Sequence, residues 1–290
     1  MKKALPVIIV LSILIVIVLV ILAFVLFKKP RSNVYEKYEY SDKYIAGSTV
    51  YDAKNVKYVH IDWLNGQVDI SRAEDEINVE ENSDGLPYEE KVHSFLSGDT
   101  LMIRFCESGL DRKINQRYKN LKLTLPEGVT LIVDSVSANV NFDLLTCEKV
   151  NVSSVSGKIT ANTISTPSFG AKTVSGDVHA DIVSGCTLFG VETVSGYISV
   201  GRCESGHIGI KSTSGKTKLG VVGCRDCNVE TESGNTELEF PDGLGATVVF
   251  NTVGGSFSST RRYESKNGYI FGDGECNVEV STVSGNLVIN

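Results

Sequence analysis

Ser154-Val155-Ser156-Gly157-Lys158-Ile159, Thr173-Val174-Ser175-Gly176-Asp177-Val178 and Thr193-Val194-Ser195-Gly196-Tyr197-Ile198 are three renderings of one phrase. Three more stand at Ser135-Val136-Ser137-Ala138-Asn139-Val140, Ser212-Thr213-Ser214-Gly215-Lys216-Thr217 and Thr231-Glu232-Ser233-Gly234-Asn235-Thr236. From Ala138 through Gly157, Gly176, Gly196, Gly215 and Gly234 the fourth position advances by 19 or 20 residues. A fixed period of that size marks a repeat architecture, in which each unit buries its apolar face only against its neighbours.

Numbering each repeat from that fourth position exposes its core. Seven residues before it stand Leu131, Val150, Phe169, Phe189, Ile208 and Cys227; five before stand Val133, Val152, Ala171, Val191, Ile210 and Val229. Two after it stand Val140, Ile159, Val178, Ile198, Thr217 and Thr236, and four after it Phe142, Ala161, Ala180, Val200, Leu219 and Leu238. Apolar residues two apart mean extended chain with one face buried. The Ser-Gly pair between the runs is where the chain must turn, and glycine carries no Cβ penalty there. One repeat is therefore two short strands with corners. Stacked in register, the repeats predict an all-β fold, a single-stranded parallel β-helix (β-solenoid) with coils of about 19–20 residues.

The same offsets recur around Gly66 (Val59, Ile61, Val68, Ile70), Gly255 (Val248, Phe250, Phe257) and Gly285 (Val278, Val280, Leu287, Ile289), which makes nine coils. Gly66, Gly157, Gly176, Gly196, Gly215, Gly234, Gly255 and Gly285 are thus the expected repeat turns. Two excursions interrupt the count. Residues 71–128 hold alternating runs at Ile77–Val79, Leu101–Phe105 and Leu121–Leu125; residues 260–277 hold a hairpin signal at Asn267-Gly268. Both suit caps that shield the end coils from edge-to-edge association.

Before the array, Ala4 to Phe27 form 24 uncharged residues rich in Ile, Val and Leu. That is long enough to span a bilayer as a helix, and Leu26-Phe27-Lys28-Lys29 offers no small-residue cleavage site. Residues 1–31 are read as one N-terminal transmembrane helix with basic flanks, residues 32–55 as a polar linker or stalk, and residues 56–290 as the solenoid domain. Basic residues stand on both sides of the apolar run, so the positive-inside rule assigns no orientation. Five of the 28 basic residues and none of the 35 acidic ones precede Ser32, leaving the remainder a formal charge of −12. An acidic surface of that kind excludes nucleic acid as a partner.

The seven cysteines are an odd number in a long chain, unlike a small disulfide scaffold. Ten residues before the corner stand Cys147, Thr166, Cys186, Ser205 and Cys224, all small, which fits a tight buried corner. Cysteines two coils apart would lie about 9–10 Å from each other, so Cys147, Cys186 and Cys224 are not expected to pair among themselves. Cys224-Arg225-Asp226-Cys227 is a lone CxxC without the second pair a zinc site needs.

Chemistry is scarce. The repeated serines recur too often to be nucleophiles, and nucleophile-elbow, dinucleotide and phosphate-loop patterns are missing. No metal site and no cofactor are expected. One outer face gathers Lys158, Asp177, His179, Asp181 and Tyr197, an arrangement that a polysaccharide-cleaving β-helix could use for acid–base work. A solvated face with a Lys158–Asp177 cross-strand pair is the favoured reading, since no second aligned carboxylate or arginine strengthens the cluster. Trp63 reads as packing at a coil end, or as a glycan-stacking platform.

His60-Ile61-Asp62-Trp63-Leu64-Asn65-Gly66-Gln67-Val68-Asp69-Ile70, Leu121-Lys122-Leu123-Thr124-Leu125-Pro126-Glu127-Gly128 and the reiterated Val-Ser-Gly-x-Val/Ile together resemble the bacterial adhesin-type β-strand-repeat family, which includes LiaG-like membrane-anchored proteins. The resemblance implies an extracytoplasmic solenoid near envelope-stress functions and carries no catalytic residues. The reading that follows is a non-enzymatic, membrane-anchored protein, its large domain outside the cell membrane, with a cell-wall or envelope protein as partner. The alternatives are a polysaccharide-acting enzyme and an accessory subunit of a membrane signalling system.

Overall fold

The computed structural model describes residues 37–82, 85–110 and 117–290. They form two compact units, one ending at Ala180 and one spanning Asp181–Asn290. Strands make up both, and no α-helix occurs among the described residues. The expected membrane segment, residues 1–31, lies outside the described residues. Among those described, no helix is long and apolar enough to cross a membrane.

The first unit contains β1 (Ile45–Ala46), β2 (Thr49–Asp52), β3 (Tyr58–Trp63), β4 (Gly66–Arg72), β5 (Glu76–Asn82), β6 (His93–Ser97), β7 (Thr100–Arg104), β8 (Lys119–Leu125), β9 (Thr130–Ser135), β10 (Asn139–Leu145), β11 (Lys149–Ser154), β12 (Ile159–Ile164) and β13 (Ser168–Thr173). Its coils stack in parallel register at the repeat period. Leu131 lies opposite Val150 and Val150 opposite Phe169, while Val140 lies opposite Ile159. In this unit the expected columns are inside, each side chain at 3% exposure or less, whereas Phe250 and Phe257 of the later Gly255 coil are only half-buried.

The excursion after the first coil does more than cap. β7 and β8 form a coil of their own outside β3 and β4, so β3 is held between β7 and β9, and β4 between β8 and β10. β5 and β6 then run antiparallel along β8 and β7. Part of the stretch read as a stalk belongs to the sheet: β1 pairs with β6 and β2 pairs with β5, Tyr44 beside them is buried, and residues 41–43 and 53–55 form 3-10 turns.

β14 (Val178–Thr193) leads into the second unit, followed by β15 (Ile198–Ser212), β16 (Thr217–Thr231), β17 (Thr236–Glu239), β18 (Ala246–Thr252), β19 (Phe257–Ser259), β20 (Glu264–Ser265), β21 (Tyr269–Phe271), β22 (Cys276–Thr282) and β23 (Leu287–Ile289). Here the sequence order and the stacking order part. β22 is paired on one side with β16 and on the other with β18, and β23 lies between β17 and β19. The coil that is last in sequence is therefore threaded between its two predecessors. The outermost coil is sealed by the β20–β21 hairpin, whose turn places Asn267 at φ +52° and Gly268 at φ +144°. Phe257 and Tyr269 stack 3.7 Å apart there, with Tyr263 edge-on to both.

The repeat glycines serve a different purpose from the one expected. Of the eight, only Gly66 has a positive φ, +105°. At Gly157, Gly176, Gly215, Gly234, Gly255 and Gly285 the stack is too close for a side chain. A Cβ on Gly157 would run into the carbonyl oxygen of Ala138, one on Gly176 into that of Gly157, and one on Gly215 into that of Gly196. The hydroxyl three residues earlier, meanwhile, accepts the corner amide: Ser154 from Gly157, Thr193 from Gly196 and Thr231 from Gly234, each at 2.9 Å. Buried amides are thereby satisfied without water.

Threading also creates the one disulfide. Cys224 is bonded to Cys276, their Cα atoms 5.3 Å apart, across 52 residues of sequence. Cys147, Cys186 and Cys224 do not pair among themselves, as expected, but the partner of Cys224 was out of reach of a reading that stacked coils in sequence order. Cys106, Cys147, Cys186, Cys203 and Cys227 are in no disulfide and are buried. Burial pushes the thiols up, Cys106 to about 11 and Cys147 and Cys227 to about 12.

Two outcomes follow. Gly215→Ala wedges two corners apart, and overpacking of this kind costs ~1–3 kcal/mol, read from the midpoint of chemical denaturation. Ala138→Gly, at the one corner that already carries a methyl, costs about 0.5–1 kcal/mol at most. For the thiols, folded values above the ordinary 9.0 mean the folded state holds these protons more tightly. Their contribution to stability is complete below pH 9 and is lost as pH rises toward about 12. A thiol reagent at pH 8 is expected to find none of the five cysteines outside the disulfide in the native protein, and all five after unfolding.

Candidate functional site

Lys158, Asp177 and His179 belong to the first unit, and Asp181 and Tyr197 to the second. Lys158, Asp177, Asp181 and Tyr197 are exposed and His179 is half-buried.

A denser arrangement lies elsewhere in the first unit, on the outward side of β3, β7 and β9. Alternation along β3 turns Val59, Ile61 and Trp63 inward and leaves His60 and Asp62 outward. Register then places Asp62 opposite Arg104 of β7 on one side and opposite Asp134 of β9 on the other. His60 Nε2 lies 3.0 Å from Asp134 Oδ2 and 3.7 Å from Asp62 Oδ1, while the Arg104 guanidinium is ion-paired with Asp62 Oδ2. One nitrogen and two carboxylate oxygens thus converge within 4.8 Å, a set able to hold a metal ion. Sequence reasoning missed this group although a signal existed: Asp62 and Asp134 both stand four residues before their corner position.

Beside it is a cavity of about 320 Å³ lined by Tyr38, Tyr40, Tyr44, Phe95, Met102 and Arg104, among others. The rings pack on one another, Tyr44 5.4 Å from Phe95 and 5.6 Å from Tyr38. Arg104 stacks over Tyr38 at 5.2 Å, and the Tyr38 hydroxyl donates to the Cys106 carbonyl. Aromatic walls with a few polar groups suit a small organic ligand or a sugar ring.

Trp63 takes no part in such recognition. It is 1% exposed and donates from Nε1 to the Lys119 carbonyl, which rules out the glycan-stacking role. Its ring instead walls a buried ion pair. Lys119 Nζ sits 2.5 Å from Glu81 Oε1, with both side chains at 3% exposure or less. Nζ donates also to the carbonyls of Glu90 (2.6 Å) and Phe105, and lies 4.3 Å from the Phe105 ring centre. Burial lowers the Lys119 pKa, and the Glu81 carboxylate opposes that shift. Three acceptors satisfy all three ammonium protons. The lysine is a structural tie between β8 and β5, not a nucleophile.

Comparison with known proteins bears on the whole domain. A family model described as Toastrack DUF4097 matches residues 56–290. No curated protein matches the chain. Among solved structures, a candidate lipid-binding protein from Parabacteroides distasonis ATCC 8503 is similar at 12% identity, with 84% of this chain and 97% of that one covered and a TM-score of 0.48. A candidate adhesin from Parabacteroides merdae ATCC 43184 is similar at 11% identity, 84% and 95% coverage and a TM-score of 0.42. Another, from Bacteroides fragilis NCTC 9343, has 12% identity, 86% and 97% coverage and a TM-score of 0.37.

Lys119→Met is expected to leave Glu81 buried without its counter-charge and to cost ~3–5 kcal/mol. Adding Glu81→Leu should recover most of that loss. Fluorescence of Trp63, the single tryptophan, reports the unfolding directly.

Proposed function

This chain belongs to the Toastrack DUF4097 family, and on that premise we propose that it is a non-enzymatic, membrane-anchored protein whose β-solenoid stands outside the membrane and makes contact with the cell envelope or with another protein. The observation that carries this reading is the Cys224–Cys276 disulfide. Disulfides persist in oxidising compartments, and here one stands in a chain that opens with an uncharged apolar run of bilayer-spanning length. The parallel coils supply the contact surface. Their outward residues form ladders such as Asn162–Asp143, Lys211–Glu230 and Lys218–Glu239, which hold side chains at fixed spacing along each stack. Exposed pairs of this sort add little stability and serve better as a rigid, repetitive polar face. The edges that would polymerise are closed in each unit, the first by β5 and β6 and the second by the β20–β21 hairpin. Adhesion or sensing of envelope stress is the role such a surface suits.

The test uses cells expressing the full chain. The protein is expected in the membrane fraction, with Cys224 and Cys276 oxidised and the domain cleaved by protease added to intact cells or spheroplasts. A soluble, reduced and protease-shielded protein overturns the reading. Turnover of any member of a glycan panel that Asp177→Ala with Asp181→Ala abolishes would favour the enzyme instead.

A further inference from the structure

We propose that His60, Asp62 and Asp134 form a binding site for a divalent transition-metal ion of the zinc type on the outer face of the first unit. The three donor atoms lie within 4.8 Å of one another, with separations of 3.0 Å and 3.7 Å from the imidazole to the two carboxylates. Donors bound at about 2.0–2.2 Å to a tetrahedral ion stand roughly 3.3–3.5 Å apart. Small side-chain rotations bring all three to that spacing.

Donor chemistry selects the class of ion. One imidazole nitrogen with two carboxylate oxygens suits zinc, whereas calcium and magnesium take shells made wholly of oxygen. Register supplies an independent reason. Asp62 and Asp134 are directly opposite on adjacent parallel strands, where like charges repel. Arg104 takes one oxygen of Asp62 and leaves the other turned toward His60. That is the outer-shell support by which a ligating carboxylate is oriented, and a cation seated among the three donors relieves the remaining repulsion. The strands hold the donors, so little freedom is lost on binding. With His60, Asp62 and Asp134 at 27%, 42% and 47% side-chain exposure, the ion keeps a position open to solvent or to an outside donor.

The second unit provides a built-in comparison. His207 and Asp226 make a similar contact at 2.6 Å, yet among the described residues they do not join a third donor in such a group. The full-length protein, purified in detergent and stripped with chelator, is titrated with zinc chloride by calorimetry. The expected result is one ion per chain, weakened at least about tenfold in His60→Ala and in Asp134→Asn, and unchanged in Asp226→Asn. Zinc should also protect His60 of the unmodified chain from diethyl pyrocarbonate, a readout that needs no variant. Absence of uptake, uptake undiminished in both variants, or His60 modified equally with and without zinc overturns the site.

Discussion

At glycine corners such as Gly157, Gly176, Gly215, Gly234, Gly255 and Gly285 the chain passes so near its neighbour that a carbonyl oxygen occupies the space where a Cβ would be. The contact between Gly215 and Gly196, repeated between Gly234 and Gly215 and between Gly285 and Gly234, sets how closely the coils can lie. Parallel hydrogen bonding needs strands about 4.7–4.9 Å apart, and at these positions a corner without a side chain permits that spacing. The hydroxyl three residues earlier completes the device, because a corner this tight has no room for water to satisfy its amide. Aliphatic columns inside and polar ladders outside both follow from that register, since each side chain meets its counterpart in the next coil.

The same parallel pairing explains how the stacks end. A coil edge has unsatisfied backbone groups, and a chain that simply stopped there would leave a strand to fray or to recruit another molecule. In the second unit the last strands instead pair on both sides, between β16 and β18 and between β17 and β19. The Cys224–Cys276 bond ties that inserted strand to β16. In the first unit β3 and β4 are enclosed likewise, by strands that come later in the chain. Both arrangements enclose the first and last array strands within a stack and set antiparallel strands outside, β5 and β6 in the first unit and β21 along β18 in the second.

The outward residues of β3, β7 and β9 are the place where the repeat departs from regular ladders. His60, Asp62, Arg104 and Asp134 are brought together by three strands whose order in the sheet is not their order in the chain. The nearby tyrosines come from the segment before β1, which lies on the sheet and walls a cavity. Charge and aromatic surface thus meet on one side of the first unit.

Much of this was legible in the residues. Period-two apolar runs recurring every 19 or 20 positions allow only a stack of parallel coils, so strand type, most core columns, the burial of Cys147 and Cys186 and the hairpin at Asn267-Gly268 could be read directly. Such features are local, or repeat at a constant offset, and one copy predicts the next. Threading of the last coil, the partner of Cys224, the packing of residues 38–52 and the meeting of His60 with Asp134 are of another kind. Each joins segments far apart in sequence, and each was settled by which strand edges remained free for pairing, a competition that exists only once the chain is folded.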